Sequence, residues 1–244
     1  MDDEIPLGPA PTGWADEPLC RYMDDWRRNQ LATFQTCQAA FRRLQTIDSL
    51  FLTIADNLDN TPQTAPALFF YRAHASYRTA VGLAMAGQVV EAYPILRNCL
   101  EQGLYAYFVF KQPTRYNVWA TRHDSPASLR AVKDVFQIGD ILNEYTSDHN
   151  DDGRIAHELY EQTIDWGAHP NTHGLMQTVT LEHTSDAMEV VTQYLYPGTL
   201  AHASAMKDTA RIGVGVLIAF GHIFEPRSSI LGLWQRLRQA KDGL

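Results

Sequence analysis

Apolar residues recur every three or four positions from the start of residue 18 onward. Leu19, Tyr22, Met23, Trp26, Leu31, Phe34, Cys37, Phe41, Leu44, Ile47, Leu50, Phe51 and Ile54 follow this rhythm, with one step of five after Trp26. That spacing predicts one face of a long helix, ended by the polar cluster Asn57 to Thr64. From Ala67 to Lys111 almost every residue is apolar or small, and Gly87-Gln88 divides the run. Two apolar helices folded back on each other are expected. Ala73, Ala75, Ser76, Thr79, Ala80, Gly82, Ala84 and Ala86 would let their axes approach closely. Pro94 lies about one turn into the second, near its start or at a kink.

A short helix begins near Pro113. SPASLRAVKDVFQIGDILNEY reads as one amphipathic helix with Ser125 as N-cap and Pro126 in first place. TSDHNDDG reads as a loop, and RIAHELYEQTIDWGAH as a helix ended near Gly167 and Pro170. Helical rhythm fails over TVTLEHTSDAMEVVTQYLYPG, where β-favouring residues precede a Pro197-Gly198 turn. Two more helices close the chain. The expected fold is all-α: a single-domain bundle of seven or eight helices over 18–244, with a small irregular or β-hairpin insert near 175–197. Residues 1–17, rich in Pro, Gly and acid, form an extended acidic arm with Trp14 against the body.

Charge changes this picture little. The formal net charge is −8, yet five acids sit in the first 17 residues, which hold no Lys or Arg. The remainder is nearly neutral, so global charge does not support a nucleic-acid partner. Three cysteines without a CxxC pair favour free thiols in a reducing compartment. No apolar run approaches the about 20 residues of a membrane span, and the first residues do not read as a signal peptide. A cytoplasmic protein is expected. The long first helix and the small-residue hairpin suggest a homodimer, with room for another protein partner.

The charges among the oily hairpin residues draw the most attention: Arg72, His74, Arg78, Glu91, Arg97 and Glu101. Buried charges are expensive unless paired. About a Gly87-Gln88 turn, His74 falls level with Glu101 and Arg78 with Arg97. Arg97 and Glu101 are also four apart on one helix and can pair directly. The cluster would either bind an anion in a cleft, with the carboxylate as base, or fix the hairpin's register. A second set, His157, Glu161 and Asp165, shares one helical face, with His169 and His173 just beyond; His157, Glu161 and His169 would suit a divalent metal. In YEQTIDWGAHPNTH, Pro170 holds His169 and Asn171 can bond locally, the kind of polar loop that often carries function. The terminal helix sets Arg227, Arg236, Arg238 and Lys241 beside Ile230, Leu231, Leu233, Trp234 and Leu237, an amphipathic element with a basic outer face.

LRNCLEQGLYAYFV and YEQTIDWGAHPN resemble segments of a group of uncharacterised bacterial all-helical proteins, over about residues 65–175. In that group one helix carries an Arg-x-x-x-Glu step, and a later helix ends with Tyr and, about nine residues on, His. The matching positions are Arg97, Glu101, Tyr160 and His169. The group is in turn similar to the HEPN superfamily, many of whose members are RNases of toxin and defence systems. The superfamily's Arg-(four to six residues)-His signature is absent, since no arginine has His at that spacing. The resemblance implies an interaction or regulatory protein of a bacterial defence or toxin-like system. The alternative is a hydrolase or nuclease with catalytic residues Arg97, Glu101, Tyr160 and His169, and with His74, Arg78, Asn171 and His173 binding substrate.

Overall fold

The computed structural model describes residues 10–170, 172–183 and 188–244, with the side chains of all these except 173 and 180–183. The described residues are overwhelmingly helical, and the fold is all-α. There are more helices than seven or eight, because breaks of one or two residues divide several of the periodic stretches. Residues 1–9 of the arm lie outside the described residues. Its remainder ends in a 3-10 turn, Trp14–Asp16, pinned by Trp14 Nε1 to Asp24 Oδ2 at 3.2 Å.

The expected long first helix is two. Helix α1 spans Pro18–Thr36 and α2 spans Gln38–Ala55, broken at Cys37 (φ −115°, ψ 40°). One non-helical residue hardly disturbs the apolar rhythm, so periodicity could not reveal it. The two halves also behave differently. Leu44, Ile47, Leu50, Phe51 and Ile54 of α2 are buried, whereas Leu19, Met23, Leu31 and Phe34 of α1 are exposed. Helix α1 is held instead by polar side chains reaching the end of the next helix, α3 (Thr64–Ala86). Asn29 bonds Ala86 O at 3.1 Å, Gln30 bonds Gly82 O at 2.9 Å and Thr33 bonds Met85 O at 2.8 Å.

Helices α3 and α4 (Val89–Lys111) form the expected hairpin. Ala73, Ala80 and Ala84 are fully buried, and Ser76 Oγ meets Asn98 Oδ1 at 2.8 Å across the pair. Gly87 ends α3 with φ 82°, a left-handed C-cap that L side chains resist. A Cβ there would also lie 2.9 Å from the backbone nitrogens of Tyr196 and Pro197, which run across the turn.

Helix α5 (Thr114–Ala120) is followed by two helices where one was expected, α6 (Pro126–Val135) and α7 (Ile138–Asp148). Ser125 does cap α6, accepting from Ser128 N at 3.0 Å. The break falls at Phe136, whose ring is buried against Tyr105 and Phe108. The expected TSDHNDDG loop is almost entirely helical, since α8 (Asn150–Thr163) begins two residues after α7 ends. Tyr107 draws Asp148 and His149 together at 2.9 and 3.0 Å, and Lys111 pairs with Asp148. Asp151 and Asp152 then suit the electropositive first turn of α8.

The insert opens as a helix, α9 (Thr172–Thr178). It continues as extended segments β1 (Val179–His183) and β2 (Met188–Thr192), antiparallel with Val179 opposite Thr192. Helix α10 (Leu200–Ile223) packs across α3 and α4 through Ala205, Ile212, Val216 and Phe220. The last expected helix is divided at Gly232 into α11 (Glu225–Ile230) and α12 (Leu233–Lys241). Leu233 and Leu237 are buried, while Ile230 is exposed. No helix among the described residues is long and apolar enough to cross a membrane.

Candidate functional site

The hairpin charges separate into two groups on different faces. His74 and Arg78 do not join Arg97 and Glu101, although the depth register was right. Both turn towards α2 and share Asp48. His74 Nε2 lies 2.6 Å from Asp48 Oδ1, and Arg78 binds both carboxylate oxygens at 2.8 and 2.9 Å. His74 is also stacked on Phe51, with centroids 4.8 Å apart. Burial alone would raise the Asp48 carboxyl, but the bonds from Arg78 and His74 outweigh it and hold it below the usual range. Arg72 is exposed, and Glu91 keeps one buried carboxylate oxygen without a hydrogen-bond partner among the described residues. Mutual neutralisation therefore holds for Arg97 and Glu101 but not for every charge in the hairpin. Cys99 is buried on the α3-facing side of α4 with its thiol on Ala73 O, and burial pushes that thiol far up, away from reactivity.

The other group brings Arg97, Glu101, Tyr160 and His169 together. Arg97 Nε donates to Glu101 Oε1 at 2.8 Å, one turn along α4. Arg97 Nη2 donates to the Tyr160 hydroxyl at 2.5 Å, and the guanidinium carbon stands 4.9 Å from the centre of that ring. Tyr160 in turn donates to Glu101 Oε1 at 3.4 Å. Arg97 Nη1 meets His169 Nε2. Because a guanidinium only donates, Nε2 is the acceptor and the His169 proton sits on Nδ1. Burial, then the Glu101 charge, raise the Tyr160 hydroxyl, so it remains a phenol. Arg97 and Glu101 keep 21% and 27% of their side-chain surface and His169 is exposed, so the cluster faces solvent.

A local distortion delivers His169 to Arg97. Helix α8 does not stop cleanly; Ile164–Ala168 continue it as one wide, π-type turn that Gly167 (φ 141°, ψ −3°) kinks out of helical geometry. Trp166 stacks on Tyr93, and Gly167 (φ 141°) lies on Val90, where a Cβ would come within 2.7 Å of Cγ1 and 2.9 Å of the carbonyl oxygen. Pro94, four residues on, has no N–H to donate to that carbonyl. Val90, Tyr93, Arg97 and Glu101 thus make one stripe of α4: the first two seat the π turn, the last two meet its product. His169, extended before Pro170 (φ −132°, ψ 151°), leaves the turn pointing along this stripe.

The metal reading is not assembled. No group of three or more His, Cys, Asp or Glu among the described residues is placed to hold a metal ion. The π turn carries His169 onto Arg97, and Glu161 is exposed, so His157, Glu161 and His169 do not share one centre. Asn171 lies outside the described residues, as does the side chain of His173. Sequence spacing also missed two polar centres. Asp208 of α10, 4% exposed, accepts from Tyr93 at 2.9 Å and Gln162 at 2.8 Å and pairs with Arg211 at 3.4 Å. His149 and His222 stack 3.6 Å apart, and His222 binds Asp152 at 3.0 Å. Asp48 and Asp208 carried no signal beyond their rarity on apolar faces. Compared with known proteins, this chain matches no family model, no curated protein and no solved structure.

Proposed function

We propose that the protein is a phosphodiester hydrolase of the nuclease type, working through Arg97, Glu101, Tyr160 and His169. The observation that carries this reading is Arg97 binding Glu101, Tyr160 and His169 at once, from three segments of the chain. Three of its five N–H donors are engaged, which leaves two for a phosphate oxygen. A phosphate arriving at Nη1 takes over the donor that now occupies His169 Nε2. With that donor withdrawn, His169 Nε2 faces the bound phosphodiester, takes the proton of the attacking hydroxyl, and returns it to the leaving oxygen. Glu101 holds the guanidinium in place, and Tyr160, which accepts from Arg97 and donates to Glu101, braces both.

The test is cleavage of a labelled single-stranded RNA and of bis(p-nitrophenyl) phosphate by the purified chain. Turnover is expected to fall about 10²- to 10⁴-fold in His169→Ala with the melting temperature unchanged. Arg97→Lys, which keeps the charge but loses the fork, is expected to raise KM as well. A wild-type protein inert towards both substrates, or a fully active His169→Ala, refutes the proposal. One observation favours the regulatory reading, in which the protein serves a defence or toxin-like system through its surface: the exposed apolar stripe of α1 formed by Leu19, Met23, Leu31 and Phe34.

A further inference from the structure

Helices α8 and α10 run antiparallel and are tied at both ends, by Gln162–Arg211 at 3.0 Å and by Asp152–His222 at 3.0 Å. Between the ties lies a cavity of about 220 Å³. It exceeds the engineered apolar cavity of about 150 Å³ that takes up benzene. Its walls are Leu159 on one helix and Val214 and Ile218 on the other. From Arg211 to Ile218 the slot runs about 10 Å at 1.5 Å per residue. Ala156, which also lines the slot, sits one turn before Tyr160, so the slot occupies the face of α8 next to the one that carries Tyr160 to Arg97.

The two ends differ. Arg211 is engaged by Gln162 and Asp208. The other end gathers Tyr145, Asp152 and Lys241. Tyr145 is 2% exposed, and its hydroxyl has no hydrogen-bond partner among the described residues. A buried, unpartnered hydroxyl on a cavity wall is the mark of a missing acceptor. Burial, then the Asp152 charge, push its pKa far up, so it is a donor at any physiological pH. Lys241 is exposed at the mouth, with no ion pair to any described carboxylate. Asp152 is already held by His222. The Lys241 ammonium, whose charge also helps to lower the Asp152 carboxyl, and the unpartnered Tyr145 hydroxyl therefore stand at the end where the apolar slot begins.

We propose that this slot binds a small organic anion with an apolar body, its carboxylate received by Lys241 and the Tyr145 hydroxyl and its chain laid between Leu159, Val214 and Ile218. A free apolar molecule would satisfy the walls but leave both polar groups as they are. The site stands apart from the Arg97 cluster and does not depend on the activity proposed for it.

Calorimetric titration of the full chain with sodium octanoate and with 1-octanol tests this. Octanoate is expected to bind once per chain, at least tenfold more tightly than the alcohol. Lys241→Glu should weaken octanoate tenfold or more and leave 1-octanol unchanged. Tyr145→Phe should also weaken octanoate, with no loss of melting temperature, since the hydroxyl removed has no partner. Absence of octanoate binding overturns the proposal. So does equal affinity for acid and alcohol with Lys241→Glu silent, which would mark the slot as plain apolar space.

Discussion

Asp48 shows at the level of one side chain how a charge survives beside an oily core. It keeps 27% of its surface, accepts from His74 and takes both arms of Arg78. Asp48→Asn removes the charge those donors serve, and about 2 kcal/mol of stability should go with it, given 1.5–3 kcal/mol for a hydrogen bond to a charged group. Chemical denaturation of both proteins at pH 7 measures this. The sign with pH follows from the depressed carboxyl. Its contribution is fully present above the unfolded value of about 3.9 and fades as pH falls through the lower folded value. The stability gap between wild type and Asp48→Asn should therefore be flat from pH 7 to 5 and close below about 4. Two histidines act in a higher window. Burial, then the neighbouring His222, lower His149, and burial lowers His202. Below about 6.5 the unfolded chain takes up protons that these folded imidazoles refuse, so stability should fall between pH 6.5 and 5. Thermal melts across that range check the direction, and a melting temperature that rises on acidification would contradict it.

At the scale of elements, the distorted end of α8 decides the candidate site. A regular helix through Ile164–Ala168 would point His169 elsewhere; the π turn, seated on Val90 and Tyr93, brings it to Arg97. Gly167→Ala puts a Cβ into Val90 and asks an L residue to hold φ 141°. A loss of about 1–3 kcal/mol is expected, together with loss of the His169–Arg97 contact. A crystal structure of the variant would show His169 displaced. Activity reduced as far as in His169→Ala, in a protein still folded, would tie the turn to the proposed chemistry. Some of this was legible beforehand. Arg97 and Glu101 are four apart on a helix, Pro170 forces extended backbone at His169, and Gly167 marks the helix end. The π turn itself was not legible, because it depends on a groove that α4 supplies from 70 residues away.

For the molecule as a whole, the unresolved balance is on the outside of α1. Leu19, Met23, Leu31 and Phe34 are between 48% and 69% exposed and lie on one stripe, while Asn29, Gln30 and Thr33 tie the helix to the α3–α4 turn. Exposed apolar rows of this kind mark association, and the homodimer expected from the sequence would find its seam here. Leu31→Glu with Phe34→Glu should turn a dimer into a monomer in analytical ultracentrifugation without changing helix content by circular dichroism. A wild-type chain that sediments as a monomer removes the idea.

The rhythm of apolar residues by itself determined an all-helical chain, the α3–α4 hairpin closed by Gly87, and the direct pairing of Arg97 with Glu101. Each is local: a helix face, a left-handed turn and an i, i+4 step are set by residues within a turn or two of one another. Only the tertiary structure decided which apolar face of the first stretch is buried, which acid answers His74 and Arg78, and which residue Arg97 meets beyond its own helix. Asp48 and His169 reach their partners across 26 to 72 residues. The breaks at Cys37, Phe136 and His149 belong to the same class. Those at Cys37 and Phe136 leave the period of the sequence nearly intact, and those at Phe136 and His149 are packed on Tyr105, Phe108 and Tyr107 of α4.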